Sequence, residues 1–257
     1  MTGIGAIIDA LEPIDGGWRG RIPDTWLQGR TAYGGVSSAL ALAVAQRSDD
    51  DLPPLRSAQV AFIGPLAGPV VIRARRLRRG RNAAWVQADV ESEAGLGLRA
   101  TFVFMREHES RLDHVTGQAP DFPAPKAATR TFNGHASVPF TQNFEFVDCR
   151  DARVGDAEWL RWTRLRERSG LDVAVELIAV ADGLPPAALK LLGTPAPLSS
   201  MTWQIDLLGV PSTTDGWWLL RADTGYARGG GSSQRMAIWN HDGVAVAEQM
   251  QSVAIFA

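Results

Sequence analysis

The sequence predicts an α+β fold built from two related units, each with one long helix packed against an antiparallel sheet. The first observation behind this prediction is an internal repeat. The four residues that begin at Val71 recur as a similar four that begin at Leu219, 148 positions later. The turns at Gly95 and Gly243 are separated by the same offset. A fixed offset of this kind indicates that half of the chain was duplicated.

The second observation is the composition of the predicted helices. Residues 36–46 are Ala, Leu, Val and Ser apart from a final Gln46, with almost no charge, so this helix is apolar nearly all round. Such a helix is expected to be wrapped by the rest of its unit. In the second half, residues 171–192 are predicted to be mostly helical, with a break near Asp182 because two prolines follow it.

The third observation is a series of segments that are rich in β-branched and aromatic residues and separated by glycine or proline, which predicts strands. The predicted strands are 17–27, 56–63, 70–78, 83–93, 96–105, 138–147, 158–165, 200–208, 217–224, 232–240 and 244–256. Residues 107–137 are proline-rich, with little periodic apolar pattern, and are predicted to be a linker. The predicted units are therefore 1–106 and 138–257.

Charge and cysteine content exclude several classes of function. The formal net charge of −2 gives no strong field for nucleic acid or for an anionic membrane. A single cysteine, Cys149, excludes an intramolecular disulfide and a cysteine-rich metal site, and it fits a reducing compartment. With no export signal and no apolar run of about 18 residues, we expect a cytoplasmic protein that binds neither nucleic acid nor membrane.

Three segments resemble those of a known family. They are 30–35 (RTAYGG) at the start of the first helix, 62–65 (FIGP) at the end of a strand, and 242–247 (DGVAVA) before Gln251. In this order they resemble the type II (TesB-like) acyl-CoA thioesterases, and the resemblance covers most of the chain. It implies a double hotdog, in which a sheet curls around a central helix twice in one chain. It also implies an acyl-CoA substrate, no separate cofactor, no metal, and a homodimer or higher oligomer.

The resemblance further implies a catalytic set of an aspartate on the second helix, a serine or threonine on the following strand and a glutamine on the last strand. Asp182 and Gln251 match these positions. For the hydroxyl group, Ser199, Ser200 and Thr202 are candidates, and the Thr/Ser-apolar-Asp run common in relatives is missing. We favour Ser200, which is expected to share a strand face with Thr202 while Ser199 points the other way.

This set suits thioester hydrolysis, which needs a water molecule, a base to activate it and donors for the developing oxyanion. Asp182 would act as the base, while Gln251 and the serine would position the water. The counterpart of Asp182 at an offset of 148 is Gly34, at the start of the first helix. Since the N–H groups at a helix start bind anions, an oxyanion role is possible there, with predicted substrate contacts at Tyr33, Gly34, Gly35 and Ser199.

Simpler explanations stand beside these assignments. The glycine pair could serve only a turn or close packing, and Gln251 could be a hydrogen-bonded core residue. Arginines 73, 75, 76, 78, 79 and 81, or else Arg228 and Arg235, could bind the phosphates of coenzyme A or belong to solvated strands. Tryptophans 203, 217, 218 and 239 could line an acyl channel or pack in the core.

Competing chemistries lack their residues. A hotdog hydratase would use an aspartate and a histidine on one helix, and none of the four histidines is in a predicted helix. Zinc catalysis lacks clustered ligands, and a Ser-His-Asp hydrolase lacks the Gly-x-Ser-x-Gly turn. The remaining alternative is a double hotdog that binds acyl thioesters without cleaving them, or that serves only as an assembly module.

Overall fold

The computed structural model describes residues 2–150, 154–194 and 196–257. Its α-helices are α1 (Ile4–Asp9), α2 (Gly34–Gln46) and α3 (Val173–Ala181). Its strands are β1 (Glu12–Ile14), β2 (Gly17–Ile22), β3 (Leu27–Gln28), β4 (Thr31–Ala32), β5 (Leu55–Phe62), β6 (Gly68–Arg79), β7 (Ala83–Ser92), β8 (Gly95–Met105), β9 (Phe144–Asp148), β10 (Glu158–Leu165), β11 (Leu198–Leu207), β12 (Trp218–Arg228), β13 (Gly231–Asn240) and β14 (Ala245–Ile255). Short 3₁₀ helices cover Asp24–Trp26, Pro139–Asn143 and Ala187–Leu191.

Twelve strands form one antiparallel sheet in the order β1-β2-β6-β7-β8-β5-β11-β14-β13-β12-β10-β9. The order from β2 to β5 is repeated in reverse from β11 to β10, so the two halves are related by a pseudo-twofold axis. The halves join where β5 pairs with β11, and Gln59 lies directly opposite Gln204. The predicted α+β fold of two units, each with a helix on an antiparallel sheet, is therefore confirmed.

The pseudo-symmetry extends to local irregularities. The β7–β8 pair has a bulge next to the pair Val90–Leu98, and the β13–β14 pair has one next to Ile238–Ala247. A bulge at the same place in both ladders fixes which residues of the two halves correspond. Val90 corresponds to Ile238 at an offset of 148, and Leu98 to Ala247 at an offset of 149.

The helices form the centre of the molecule. All residues of α2 from Gly35 to Ala45 are buried, which confirms the wrapped helix predicted from its lack of charge. Helix α3 is buried from Ala174 to Ala181, and α2 packs against it. The sheet curves around both helices, so residues that face them are buried and alternate residues lie on the outer face of the sheet.

Two predicted elements differ in the structure. The segment predicted as a strand over 138–147 begins with the 3₁₀ helix Pro139–Asn143, and only β9 is extended. The helix predicted over 171–192 is shorter, because α3 ends at Ala181 before the sequence Gly-Leu-Pro-Pro and a 3₁₀ helix begins at Ala187.

The predicted linker, 107–137, lies along the outer face of the second half. Trp162 and Trp239 donate from their ring nitrogens to the carbonyl oxygens of Phe122 and Gly117, at 3.2 and 2.9 Å. Its one bridge to the sheet in the described residues joins Phe132 and Phe146. The division of the chain at this segment stays a prediction. In the described parts of the chain, no helix is long and apolar enough to cross a membrane.

Candidate active site

The site lies where the start of α2 meets the end of α3. Tyr33 precedes α2, and its hydroxyl donates to the carbonyl oxygen of Ala179 in the last turn of α3, at 2.7 Å. Asp182 is the C-cap residue of α3. The last carbonyl groups of a helix lack partners within it, so the Tyr33 hydroxyl satisfies one of them. This bond connects the two halves beside Asp182.

Both glycines at the start of α2 are required by close contact, since neither has a positive φ angle. A Cβ atom on Gly34 would lie 2.6 Å from Oδ2 of Asp182, and one on Gly35 would lie 2.4 Å from the carbonyl oxygen of Ala179. The N–H group of Gly35 also acts on the carboxyl group of Asp182 and lowers its pKa. The positive end of α2 therefore supports a carboxylate of the protein itself.

Gln251 brings Asp182 and Ser200 together. Its Nε2 atom donates to Oδ1 of Asp182 at 2.8 Å and to Oγ of Ser200 at 3.3 Å. Gln251 is only 2% exposed, whereas Asp182 and Ser200 are both partly exposed. The glutamine thus lies deepest of the three, and the carboxyl group, although its residue is partly exposed, is enclosed enough for burial to raise its pKa.

A β-bulge determines which hydroxyl group faces the site. Ser200 pairs with Val253 and Thr202 pairs with Ser252, so Met201 is an extra residue on β11. Residues directly opposite each other share a face, and the bulge therefore turns Ser200 inward and leaves Thr202 outward. The expectation that Ser200 and Thr202 share a face is wrong for this reason. Ser199 is exposed, and its hydroxyl donates to the Ser200 carbonyl oxygen at 3.4 Å.

The environment of Asp182 favours its protonated form. Burial raises the pKa of Asp182 from 3.8 to about 7, against the hydrogen bond from Gln251 and the N–H group of Gly35, which lower it. Both protonation states are therefore populated near neutral pH, which suits a group that accepts and returns a proton. Burial, with a smaller contribution from the charge of Asp182, raises the pKa of Tyr33 well above 10, so its hydroxyl remains a donor.

The first half has no counterpart of this polar site. Four residues from the shared bulge, β7 and β8 pair Val86 with Phe102, whereas β13 and β14 pair Gln234 with Gln251. Duplication therefore left one polar site in the second half, and the equivalent position in the first half is part of the apolar core.

Family models match both halves of the chain. The acyl-CoA thioesterase N-terminal domain matches residues 22–105, and the acyl-CoA thioesterase C-terminal domain matches residues 116–255. The chain belongs to the acyl-CoA thioesterase family. It is therefore a thioester hydrolase by family. No curated protein is similar enough in sequence to count as a relative.

Solved structures show the same fold. A hot dog protein of unknown function from Alicyclobacillus acidocaldarius has a TM-score of 0.85 at 24% identity, with 100% of this chain and 99% of that chain covered. A candidate thioesterase II from Thermobifida fusca has a TM-score of 0.84 at 19% identity, covering 100% and 98%. The tesB protein of Mycobacterium avium subs paratuberculosis has a TM-score of 0.78 at 17% identity, covering 99% and 98%. The double hotdog expected of this thioesterase is confirmed.

Tyr33 has a structural position in this thioesterase. Its ring is 1% exposed and stacks on Phe140 with centroids 4.2 Å apart, while its hydroxyl is bonded to Ala179. Both parts of the side chain are thus occupied by the protein, in place of the substrate contact predicted from the sequence.

The tryptophans divide between the two faces of the sheet. Trp203 and Trp218 point inward and donate to Gln249 and Glu176, at 2.8 and 3.0 Å. Trp217 and Trp239 belong to a separate apolar cluster that residues of the predicted linker cover. These two lie on the other face from Asp182, so the structure does not place them in a channel to the site.

Most of the arginines proposed for phosphate binding have protein partners. Arg73 pairs with Glu91, Arg76 with Asp49, Arg79 with Asp51 and Arg235 with Asp223, while Arg75 bonds to Gln87 and Arg78 lies over Trp85. These contacts fit solvated strands with paired charges. The phosphate contacts of coenzyme A stay a prediction.

Sequence reasoning missed Gln234. It is 1% exposed on the inner face of β13, and its Nε2 donates to Oε1 of Gln251 at 2.5 Å. The detectable signal is that Gln234 stands 148 residues after Val86, so a glutamine replaces an apolar residue of the first half.

In the described part of the chain, no three His, Cys, Asp or Glu side chains cluster in a way that could hold a metal ion.

Proposed function

We propose that this protein hydrolyses acyl-CoA thioesters to a free acid and coenzyme A, using water activated by Asp182, Ser200 and Gln251. The observation that supports this assignment is the pair of hydrogen bonds from Gln251 to Asp182 and Ser200. They join a base, a hydroxyl and an amide donor in one partly exposed site, and these are the groups that the reaction needs.

In the proposed reaction, the Asp182 carboxylate removes a proton from water while the water oxygen bonds to the thioester carbonyl carbon. The carbonyl π electrons move to the oxygen, which becomes an oxyanion. When the carbonyl re-forms, the C–S bond breaks and its electrons leave with the thiolate. A thiol has a reference pKa of about 8.5, so departure needs little acid assistance, and the proton held by Asp182 can return to the sulfur or to solvent.

Oxyanion stabilisation is assigned to the start of α2. Because the Gly35 N–H group already stabilises the ionised form of Asp182, Gly34 is the better of the two predicted donors. Gly34 is partly exposed and lies against Asp182. An N–H group at a helix start provides a donor in the favourable field of the helix.

Apolar residues beside the site favour an acyl or pantetheine chain. Phe62 lies next to Gly34, and Ile63 and Met201 follow at the same end of the β5–β11 junction. Ile63 and Met201 are 54% and 41% exposed. Exposed apolar groups around a polar site are typical of a pocket for an apolar ligand with one reactive end.

We propose further that the enzyme needs no cofactor, acts in the cytoplasm and forms a homodimer or higher homo-oligomer. The first point follows from the reaction, which uses only water and side chains. The second follows from the single cysteine. The third rests on the resemblance to the TesB-like thioesterases.

The test is thiol release from short, medium, long and aromatic acyl-CoAs by the wild type, Asp182→Asn and Gln251→Ala. We expect hydrolysis by the wild type and a loss of roughly 100-fold or more in kcat for each variant. Asp206→Asn and Gln204→Ala, on the outer face of β11, are matched controls and should retain activity. Binding of acyl-CoA without thiol release by the wild type would favour the binding module instead.

A further inference from the structure

Gln234 connects the 3₁₀ helix at Ala187 to Gln251. The N–H group of Ala187 donates to Oε1 of Gln234 at 3.0 Å, and Nε2 of Gln234 donates to Oε1 of Gln251 at 2.5 Å. Nε2 of Gln251 then donates to Asp182 and Ser200. Four groups thus form one directed series of hydrogen bonds that ends at the proposed base.

The direction of this series is fixed at its first member. A glutamine amide can turn and exchange its donor and acceptor ends, but a backbone N–H group can only donate. Ala187 begins the 3₁₀ helix after Pro186, so its N–H group has no partner within that helix. Gln234 must therefore present its oxygen to Ala187 and its NH₂ group to Gln251. Gln251 must in turn present its own NH₂ group to Asp182.

We propose that Gln234 is a positioning residue, which holds the amide of Gln251 with its NH₂ group toward Asp182 and Ser200. This inference rests on the proposed hydrolysis of acyl-CoA and names a residue on which that site depends. Gln234 does not touch the substrate, because it lies behind Gln251 and is almost completely buried.

An unconstrained Gln251 would turn with the protonation state of its neighbour. A protonated Asp182 can donate to the amide oxygen, whereas an ionised Asp182 requires the amide NH₂ group. With a pKa of about 7 for Asp182, both situations arise near neutral pH. Gln234 removes this freedom, so that a donor faces Asp182 and Ser200 in both states. The second half has a glutamine at both of these paired positions, and the first half has one at neither, because Val86 and Phe102 occupy them there.

The decisive variant is Gln234→Glu, compared with the wild type at about pH 9, because burial raises a carboxyl pKa and only the ionised side chain keeps the shape of glutamine without a donor. The new carboxylate can accept from both Ala187 and Gln251, so Gln251 should turn and present its oxygen to Asp182. We expect kcat to fall roughly 100-fold, the effect of losing one preorganised donor, with KM changed by less than about threefold. Gln234→Met imposes neither orientation and should lower kcat by roughly 10-fold. Met236 is unsuitable as a control, because its sulfur accepts from Nε2 of Gln234 at 3.5 Å. Ile238→Val, at the following inward position of β13, is the packing control and should retain wild-type kinetics.

A second measurement does not depend on activity. The pKa of Asp182 can be followed by ¹³C NMR of its carboxyl carbon, with the signal assigned by its loss in Asp182→Asn. Turning Gln251 removes a hydrogen bond that stabilises the carboxylate, and the substituted glutamate adds a negative charge nearby; both effects raise a carboxyl pKa. We therefore expect the pKa of Asp182 to be higher than in the wild type in Gln234→Glu and, by a smaller amount, in Gln234→Met, where no charge is added.

The outcomes separate this inference from the proposed function. If the wild type hydrolyses no acyl-CoA and the pKa of Asp182 still rises in the uncharged Gln234→Met, the positioning role stands and the proposed function fails. If the wild type is active and folded Gln234→Glu retains its kcat and the pKa of Asp182, the positioning role is overturned. Changes confined to KM or to thermal stability would also overturn it. If Gln234→Glu does not fold, an unchanged kcat in Gln234→Met has the same meaning.

Discussion

Gly34 lies against Asp182, 148 residues later in the chain, so closely that a Cβ atom on Gly34 would be 2.6 Å from Oδ2 of the carboxylate. The expectation that the two residues are counterparts is wrong, because Gly34 is the first residue of α2 whereas Asp182 caps the end of α3. They meet because the start of one helix packs against the end of the other. One half contributes the carboxyl group and the other contributes the space and the helix start beside it. This contact makes the site asymmetric although the fold is nearly symmetric.

Gly34→Ala tests this contact. The added methyl group would overlap Asp182 and the ring of Phe62, which is 2.8 Å from the same Cβ position. We expect a loss of about 1–3 kcal/mol in the free energy of unfolding, as for other overpacked sites, and at least a 10-fold lower kcat because Asp182 must shift. Urea unfolding and thiol-release kinetics measure the two effects. Gly209→Ala is the control, since a Cβ atom there meets nothing within 4 Å. Equal changes in the free energy of unfolding and in kcat for Gly34→Ala and Gly209→Ala would contradict the close-contact explanation.

The β11 bulge leads to a prediction about three hydroxyl groups. Ser200→Ala should lower kcat by roughly 10- to 100-fold, because only Ser200 is turned toward Gln251. Ser199→Ala and Thr202→Ala should retain wild-type kinetics, since both side chains are exposed outside the site. Steady-state kinetics of the three single variants decide this. A large fall in kcat for Thr202→Ala with none for Ser200→Ala would mean that the bulge does not determine which hydroxyl group acts in the site.

The same bulge shows what the sequence could predict and what it could not. Apolar composition predicted the burial of α2, and the prolines after Asp182 predicted the end of a helix there. Strict alternation along β11 gave the wrong faces, because one extra residue changes the face of every residue before it. Only the pairing of Ser200 with Val253 reveals the extra residue. Gln234 was missed because its importance depends on a cross-strand neighbour, which composition does not show.

Asp182 should control the pH dependence of the reaction. Its proposed role as a base requires the ionised form, and its pKa is raised to about 7. We therefore expect kcat/KM to rise about tenfold per pH unit below pH 7 and to level above it. A pH–rate profile from pH 5 to 9 measures this, with stability checked at each pH. Asp182→Asn should abolish the rise, whereas Asp206→Asn should leave its midpoint unchanged. A midpoint near 4 would indicate that desolvation does not govern this carboxyl group.

Asp182 should also reduce the stability of the folded protein at high pH. Its pKa is about 7 when folded, against the ordinary value of 3.8. Between these values the native state binds more protons than the unfolded state, so the free energy of unfolding falls as the pH rises. The shift corresponds to at most about 4 kcal/mol. Asp182→Asn removes this contribution while keeping a side chain of the same shape. We expect it to match the wild type in urea unfolding near pH 4 and to exceed it by about 2–4 kcal/mol at pH 8.

Other titrating groups cancel in this comparison. Burial also raises the pKa of Glu176, so the stability of either protein alone changes with pH for more than one reason. The difference between the variant and the wild type isolates Asp182, because Glu176 is present in both. Asp206 is exposed, so the difference in the free energy of unfolding between Asp206→Asn and the wild type should not increase with pH. If the difference for Asp182→Asn stays constant from pH 4 to pH 8, the carboxyl group is not desolvated in the folded protein. A variant that is less active and more stable would instead show that the site is maintained for chemistry, at the expense of stability.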